Sequence, residues 1–279
     1  MSTVAQALLF AQQELLAAAE EESAQQAKLL VAHVLACPPQ ELLFKRQQQI
    51  TPEQAQQLQT LLDRRKNGEP LQYQLGEWGF MGLTFLVQPG VLIPRQDTET
   101  LCERALQLAK ARGYKTALDV CCGTGCIGIS IAKLGGLEVT CTDLSPACVV
   151  LTRQNAVRND AGIATLTGSF FAPVSGRFDM ILTNPPYLTA EDMQALQREV
   201  SFEPALALYG GEDGLAAYRE IAAGYEAHLN ESGVLLLEVG AGQAEDVSAL
   251  FAGCRTECID DYNGVARVVQ VEARGGTDA

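Results

Sequence analysis

The sequence predicts an α/β fold in which a mostly parallel seven-stranded sheet follows a small all-helical N-terminal domain. Residues 3–70 space their apolar side chains as helices do, without strand-like alternation. From residue 116 onward, short apolar runs alternate with helical segments, as in parallel sheets. The last two apolar runs lie close enough to pair as a hairpin, which adds an antiparallel edge strand.

The N-terminal domain is expected to span residues 1–74, which are rich in Ala, Leu, Gln and Glu. One of its helices should begin at Thr51, which can act as N-cap with Gln54 closing a capping box. Asn67-Gly68 should end that helix. The basic run Arg64-Arg65-Lys66 is expected to be a solvated helix end, with its cations near the last carbonyl groups.

The pattern of residues 75–95 predicts a short β-hairpin between the domains, because aromatic and apolar side chains are spaced there around several glycines. Residues 96–279 form the second domain. Its strands are expected at 116–120, 138–142, 164–167, 179–183, 234–239, 255–259 and 266–271. Ligands of such sheets bind beyond the carboxyl ends of the strands, so the residues that follow each strand are the candidates for a site.

A glycine-rich turn follows the first of these strands. It reads Cys121-Cys122-Gly123-Thr124-Gly125, and with Gly128 it satisfies G-x-G-x-x-G between a strand and a helix. Glycine permits the tight turn and lets the backbone approach a ligand closely. Asp143 ends the next strand, 20 residues after Gly123 (143 − 123), where its carboxylate can accept both hydroxyl hydrogens of a ribose. This pattern alone fits NAD and S-adenosylmethionine equally well.

Asn184-Pro185-Pro186-Tyr187 follows another buried strand and is the most informative motif of the chain. Each proline fixes φ at about −65° and lacks an N–H, so the loop is rigid and rich in acceptors. These acceptors, with the aromatic face of Tyr187, suit a planar amino group whose two hydrogens need partners. The alternative is a simple turn that ends the strand. A methyl donor has an evident reaction partner beside such acceptors and a hydride donor has none, so the two motifs together favour S-adenosylmethionine.

With both motifs in place, the sequence resembles the N5-glutamine methyltransferases that modify peptide chain release factors. The resemblance covers most of the chain and consists of several independent motifs in the same order. Beyond the glycine-rich turn and Asn184-Pro185-Pro186-Tyr187, it includes residues 69–73, 75–80, 91–99, 202–204, 211–215 and 261–267.

The resemblance implies a Rossmann-like class I methyltransferase domain that uses S-adenosyl-L-methionine. It also implies methylation of the side-chain amide nitrogen of the glutamine in the Gly-Gly-Gln loop of bacterial-type release factors. Asn184 and Pro185 are then the catalytic residues, and Pro186 and Tyr187 bind the substrate with them. Cofactor contacts are implied for Cys121, Cys122, Gly123, Thr124, Gly125, Asp143, Phe170 and Asn184. The helical domain becomes a recognition module for the release factor, with a stabilising appendage as the alternative.

Three positions depart from the family pattern. Cys121 stands where glycine is usual, and Gln96 stands where proline is usual. Ser169 lies near the position of an acidic residue that contacts the adenine amino group. Phe170 is still expected to lie along the adenine ring.

Composition and charge exclude several classes of protein. The formal net charge of −14 disfavours a nucleic-acid partner, which requires a basic surface. No apolar run reaches membrane-spanning length, and residues 1–22 contain no Lys or Arg and do not resemble a targeting segment. Nine cysteines, several within apolar strands, indicate reduced thiols of a cytoplasmic protein. We expect no metal, because the cysteines of the turn lack ligand spacing, and we expect a monomer without a membrane partner.

Three alternatives stay open at this point. A glutamine methyltransferase that acts on a ribosomal protein would share these motifs. An adenine-N6 DNA methyltransferase uses the same Asn-Pro-Pro-Tyr loop on a flipped base, but normally with a basic groove. A non-catalytic S-adenosylmethionine-binding subunit has no need for the complete Asn-Pro-Pro-Tyr loop.

Overall fold

A computed structural model describes residues 2–272 and divides the chain into two compact units. Of these residues, the helical unit contains 2–76 together with Gln197–Phe202, and the sheet unit contains Glu77–Leu196 and 203–272. The sequence-based boundaries placed residues 197–202 in the second domain, whereas the structure groups them with the helices. Ion pairs explain the difference, because Glu199 in this segment pairs with Arg65.

The helical unit is built from four α-helices and two 3-10 turns, the second of which is Val200–Phe202, around an aliphatic core. The predicted cap of the long third helix is confirmed: the Gln54 N–H donates to Thr51 Oγ1 at 3.2 Å, and the Thr51 N–H donates to Gln54 Oε1 at 2.9 Å. That helix ends at Lys66, before Gly68, whose φ is +91°. The other elements are α1 (Val4–Ala17), α2 (Ser23–Val34), the first 3-10 turn (Pro39–Leu43), α3 (Pro52–Lys66) and α4 (Leu71–Leu75).

The expectation of a solvated basic helix end is wrong for Arg65. Its side chain is 1% exposed and forms ion pairs with Glu20 and Glu199. Helical geometry gives the reason, since residues three and seven apart share a face and Arg65 therefore lies beside buried Leu58 and Leu62. The apolar face of α3 thus ends in a buried guanidinium held by two carboxylates.

The predicted hairpin is present as β1 (Glu77–Phe80) and β2 (Leu83–Leu86), which pair antiparallel. Asn155 holds the second of these strands beside the glycine-rich turn. Its amide group accepts from the Leu86 N–H at 2.6 Å and donates to the carbonyl oxygens of Leu86 at 3.1 Å and Thr124 at 2.9 Å. One buried amide therefore positions the hairpin and the turn together.

The seven predicted strands are all present within a residue or two, except that the fifth begins earlier. They are β3 (Thr116–Val120), β4 (Glu138–Asp143), β5 (Ile163–Thr167), β6 (Phe178–Thr183), β7 (Leu229–Glu238), β8 (Thr256–Asp260) and β9 (Ala266–Glu272). Their order across the sheet is β5-β4-β3-β6-β7-β9-β8.

The predicted antiparallel hairpin is present at one edge of the sheet. β9 runs antiparallel between β7 and β8, and β8 takes the edge. Burial explains this order, because Val268, Val269 and Val271 of β9 are fully buried while β8 is half exposed.

Helices cover both faces of the sheet, since successive residues of β3 belong to different apolar clusters. Ala117 packs with α5 and α6, and Leu118 packs with α10 and α11. The helices of this unit are α5 (Asp97–Arg112), α6 (Cys126–Gly135), α7 (Pro146–Arg158), α8 (Ala190–Gln194), α9 (Ala205–Leu208), α10 (Ala216–Gly224) and α11 (Ala244–Ala249). Within residues 2–272, no helix combines the length and apolarity that crossing a membrane requires.

Candidate active site

A cavity of about 390 Å³ lies at the carboxyl ends of β3, β4 and β6. The structure brings eight of the predicted site residues into its wall: Cys121, Cys122, Gly123, Thr124, Asp143, Phe170, Asn184 and Pro186. Residues 90–95, Thr98 and several residues between 204 and 220 also line the wall, and no site prediction named them. Three parallel strands therefore deliver the glycine-rich turn, the acidic residue and the amide loop to one pocket.

The glycine-rich turn has left-handed backbone at three positions, Cys121 (φ +62°), Gly123 (φ +56°) and Gly125 (φ +80°). A side chain on Gly125 would place its Cβ 2.7 Å from Thr152 Cγ2, so glycine is required there by packing as well as by φ. Gly125 is thus the N-cap of α6, facing Thr152, rather than part of the cavity wall. Cys121 adopts the same region without glycine's freedom, which strains the backbone.

Gly128 lets α6 pack closely on the sheet. A Cβ there would lie 2.5 Å from Cys141 Sγ and 2.9 Å from Asp119 Oδ2. The Gly128 N–H donates to that same Asp119 oxygen at 2.9 Å. Burial raises the pKa of Asp119 to about 7, and the Gly128 hydrogen bond partly offsets it. The third glycine of the motif therefore serves packing, as expected for helix on strand.

Asp143 is fixed by the backbone on both of its oxygens. The Gly123 N–H donates to Oδ2 at 2.9 Å and the Ser145 N–H donates to Oδ1 at 2.8 Å. A carboxylate oxygen has two lone pairs, so each still offers one acceptor site to a ligand hydroxyl. The carboxylate thereby joins the glycine-rich turn to the start of α7 and remains able to accept two hydroxyl donors.

Asn184 is oriented by a buried threonine. Its Nδ2 donates to Thr98 Oγ1 at 3.3 Å, and Thr98, in the first turn of α5, is 2% exposed. Thr98 also hydrogen bonds to Glu238, the last residue of β7. Sequence reasoning missed both partners as site residues, although a carboxylate inside the apolar run of β7 is a usable signal.

Glu238 is 1% exposed, and its burial raises its pKa to about 7. The hydrogen bond from Thr98 and the charge of Arg267 act in the opposite direction and lower the pKa. The Tyr218 hydroxyl donates to the Glu238 carbonyl oxygen at 2.8 Å, which fixes this residue's backbone. A buried carboxylate is therefore held behind Thr98, whose side chain belongs to the cavity wall.

At the end of the Asn-Pro-Pro-Tyr loop, Tyr187 is held in place by a hydrogen bond and by packing of its ring. The Tyr187 carbonyl oxygen accepts from Gln243 Nε2 at 3.0 Å, and its ring packs against the cluster that includes Val239. Burial raises the pKa of Tyr187 to about 12, so its hydroxyl stays neutral. Pro186, rather than Tyr187, contributes to the cavity wall. The roles of Pro185 and Tyr187 toward a substrate stay predictions.

Glu203 joins two segments of the cavity rim. It is 6% exposed, its Oε2 accepts from the Ile93 N–H at 3.0 Å, and its other oxygen pairs with Arg95. Residues 91–95 on one side of this contact line the cavity, as do Pro204, Leu206 and Ala207 on the other. The rim is therefore fixed by a buried carboxylate that the sequence marked only as part of the family resemblance.

Three cysteines around the cavity are not activated. Burial raises the pKa of Cys126 and of Cys148 to about 12 and raises that of Cys121 as well, so these thiols stay protonated at neutral pH. Across residues 2–272, no group of three or more His, Cys, Asp or Glu side chains is arranged to hold a metal ion.

Comparisons with protein families and curated proteins agree with this geometry. Residues 6–76 match the family described as the PrmC N-terminal domain, and residues 85–237 match the methyltransferase small domain. A release factor glutamine methyltransferase of Geobacter sulfurreducens is 42% identical over 226 residues, which cover 79% of each chain. One from Haemophilus influenzae is 39% identical over 228 residues, covering 76% of this chain and 78% of that one.

Solved structures support the fold of the sheet unit. A methyltransferase from Pyrococcus furiosus superposes with a TM-score of 0.54 at 19% identity, covering 70% of this chain and 90% of that one. A 16S rRNA methyltransferase of T. thermophilus, solved with AdoMet and guanosine, gives a TM-score of 0.52 at 20% identity, covering 71% of this chain and 50% of that one.

Proposed function

We propose that this chain, which belongs to the family of release factor glutamine methyltransferases, methylates the glutamine of the Gly-Gly-Gln loop of a bacterial-type release factor. The methyl group goes from S-adenosylmethionine to the side-chain amide nitrogen. One observation carries the proposal: Asn184, oriented through Thr98, shares a cavity with the glycine-rich turn and Asp143.

The cavity residues fit S-adenosylmethionine. Asp143 keeps an acceptor site on each oxygen, which suits the two hydroxyls of a ribose. The glycine-rich turn brings backbone close to the cavity for the methionine portion, with Cys121, Cys122 and Thr124, and Phe170 offers a ring face to the adenine. When bound, this cofactor supplies a methyl group carried on a positively charged sulfur.

The Asn184 loop solves the difficulty of an amide nucleophile. The lone pair of an amide nitrogen is delocalised into the carbonyl group, so the nitrogen must be held in line with the methyl and its developing charge stabilised. Asn184 Oδ1 and the Pro185 carbonyl oxygen accept the two amide hydrogens, with Pro186 and Tyr187 completing the binding loop. Orientation of this kind is worth several kcal/mol, up to about 7–11 in ideal cases. The acceptor dipoles add electrostatic stabilisation, and the surplus proton leaves to water.

The helical unit supplies recognition of the release factor in this proposal. It exposes several large apolar side chains, and exposed apolar surface is typical of partner binding. These side chains are Leu9, Leu16, Leu43 and Phe44, of which Phe44 is 87% exposed. Phe44→Asp should raise the KM for intact release factor about tenfold and leave cofactor affinity unchanged. Val157→Asp in the sheet unit, where the side chain is 83% exposed, is the matched control and should not change this KM.

The deciding experiment offers three acceptors to the purified protein. Release factor, ribosomes and DNA are each incubated with S-adenosylmethionine labelled in the methyl group, and mass spectrometry locates the product. We expect label in the release factor alone, on the glutamine of the Gly-Gly-Gln loop, and no label when that glutamine is replaced by alanine. Label on a ribosomal protein, on DNA or on another residue of the release factor refutes the proposal.

A further inference from the structure

Three polar side chains from three elements meet at the cavity wall, which Thr98 and Asn184 line. Asn184 follows β6, Glu238 ends β7, and Thr98 lies in the first turn of α5. The register of the sheet brings the first two together, because Thr183 pairs with Leu237 and the next residues along the two parallel strands are Asn184 and Glu238. Asn184 Nδ2 donates to Thr98 Oγ1 at 3.3 Å, and a hydrogen bond with Thr98 lowers the pKa of Glu238.

The chemistry of these groups determines which atom donates and which accepts in each hydrogen bond. The Thr98 hydrogen bond lowers the pKa of Glu238, so it stabilises the ionised carboxylate. In that form Glu238 only accepts hydrogen bonds, and the Thr98 hydroxyl donates its single hydrogen to it. The lone pairs of Thr98 Oγ1 are then left to accept from the Asn184 NH2 group. An amide that points its nitrogen at Thr98 leaves its oxygen for another partner.

We infer that Thr98 and Glu238 are positioning residues that set the orientation of the Asn184 amide, so that its oxygen rather than its nitrogen serves the substrate. The inference rests on the proposed function for the identity of the substrate. We call the two hydrogen bonds that link Glu238, Thr98 and Asn184 the relay. Without the relay, the Asn184 amide can rotate by half a turn and present NH2 donors to a substrate NH2 group. That arrangement cannot accept a hydrogen, and it opposes the positive charge that develops on the substrate nitrogen.

The effect of the lost hydrogen bonds can be measured separately from the effect of altered packing, because the chain contains two comparable buried threonines. Thr98 and Thr100 lie two residues apart in α5, and both are buried, at 2% and 7% exposure. In the part of the chain that the structure describes, the Thr100 hydroxyl has no hydrogen-bond partner. Valine is nearly isosteric with threonine, so Thr98→Val and Thr100→Val make the same packing change and differ in the contact that is lost.

The test measures single-turnover methylation of release factor by the full chain, together with the side-chain amide signals of Asn184 in nuclear magnetic resonance. Thr98→Val should lower the rate about tenfold, as expected for one lost hydrogen bond, while the cofactor dissociation constant stays the same. Thr98→Ser, which keeps the hydroxyl, should restore most of the rate. Thr100→Val should not change it. In an Asn184→Ala background, Thr98→Val should have no further effect, because the residues act as one unit.

The amide signals decide the inference independently of the substrate. Their assignment comes from their loss in Asn184→Ala, and hydrogen exchange at this amide should be faster in Thr98→Val than in the wild type or Thr98→Ser. Equal exchange in all three proteins overturns the relay, as does a Thr98→Val rate equal to that of the wild type. A wild-type protein that leaves release factor unmethylated refutes the proposed function instead, and the exchange measurement still decides the relay.

Discussion

The two units of the molecule use buried polar groups in opposite ways. The core of the helical unit is aliphatic, and its buried charge, Arg65, is neutralised by carboxylates of the same unit. In the sheet unit, Asp119 and Glu238 are buried, and burial raises the pKa of each to about 7. Buried polar groups are costly unless they are paired. The comparison shows that the helical unit neutralises its buried charge with ion pairs, whereas the sheet unit keeps two buried acids, of which Asp119 accepts a hydrogen bond from the Gly128 N–H and Glu238 lies beside Thr98 of the cavity wall.

Asn184→Ala tests the sheet-unit side of this comparison and should have the largest effect. Loss of one charge-stabilising acceptor typically raises a barrier by about 2.7–4 kcal/mol, so kcat should fall about 100–1000-fold. Cofactor affinity and the free energy of unfolding should change little. Asn230→Ala, which removes an amide bonded to Asp179 at 2.8 Å, is the control and should keep its turnover. Near-normal turnover of Asn184→Ala would show that another group accepts the substrate amide.

Arg65→Met tests the opposite unit. The free energy of unfolding should fall by about 3 kcal/mol, at the lower end of the range for breaking a buried ion pair, because Glu199 is 44% exposed and can rehydrate. Arg64→Met removes a half-exposed arginine paired with Glu69 and should cost at most about 1 kcal/mol. Denaturant titration measures both variants. Cofactor affinity should be unchanged in each, and a large loss of affinity in Arg65→Met would mean that the ion pairs of the helical unit also affect cofactor binding.

Asp143→Ala is expected to act on cofactor binding. A hydrogen bond to a charged group is worth about 1.5–3 kcal/mol, so the dissociation constant of S-adenosylmethionine should rise about 10–150-fold by calorimetry. The rate at saturating cofactor should fall less. Asp160→Ala is the control, because that side chain is 99% exposed and pairs only loosely with Lys133 at 3.4 Å. Unchanged affinity in Asp143→Ala would remove this carboxylate from the cofactor site.

The sequence alone predicted the features of the structure that depend on a local pattern of residues. Apolar runs located the strands, and the capping box at Thr51 located the start of α3. The sequence did not predict contacts between residues that lie far apart in the chain. Thr98 and Glu238 are 140 residues apart (238 − 98), and only the register of β6 on β7 brings Glu238 beside Asn184.

Arg65 is an intermediate case. Its helical face was readable from Leu58 and Leu62, but its partner Glu199 lies far along the chain. The same separation concealed the place of residues 197–202 with the helices. The spacing of apolar residues therefore predicts which face of a helix is buried. It does not predict which distant residue forms an ion pair with a charged side chain on that face.

Cys121→Gly should have the smallest effect, and it compares backbone strain in the two units directly. Cys121 in the sheet unit (φ +62°) and Ala19 in the helical unit (φ +58°) both adopt the left-handed region. Left-handed backbone costs an L-residue about 1–2 kcal/mol, and glycine's extra freedom in the unfolded chain offsets about 0.5–1 kcal/mol of any gain. Cys121→Gly and Ala19→Gly should each raise the free energy of unfolding by up to about 1 kcal/mol in denaturant titration. Because Cys121 lines the cavity and Ala19 belongs to the other unit, only Cys121→Gly should also change cofactor affinity. Destabilisation by Cys121→Gly would instead show that packing of the thiol outweighs the strain at this turn.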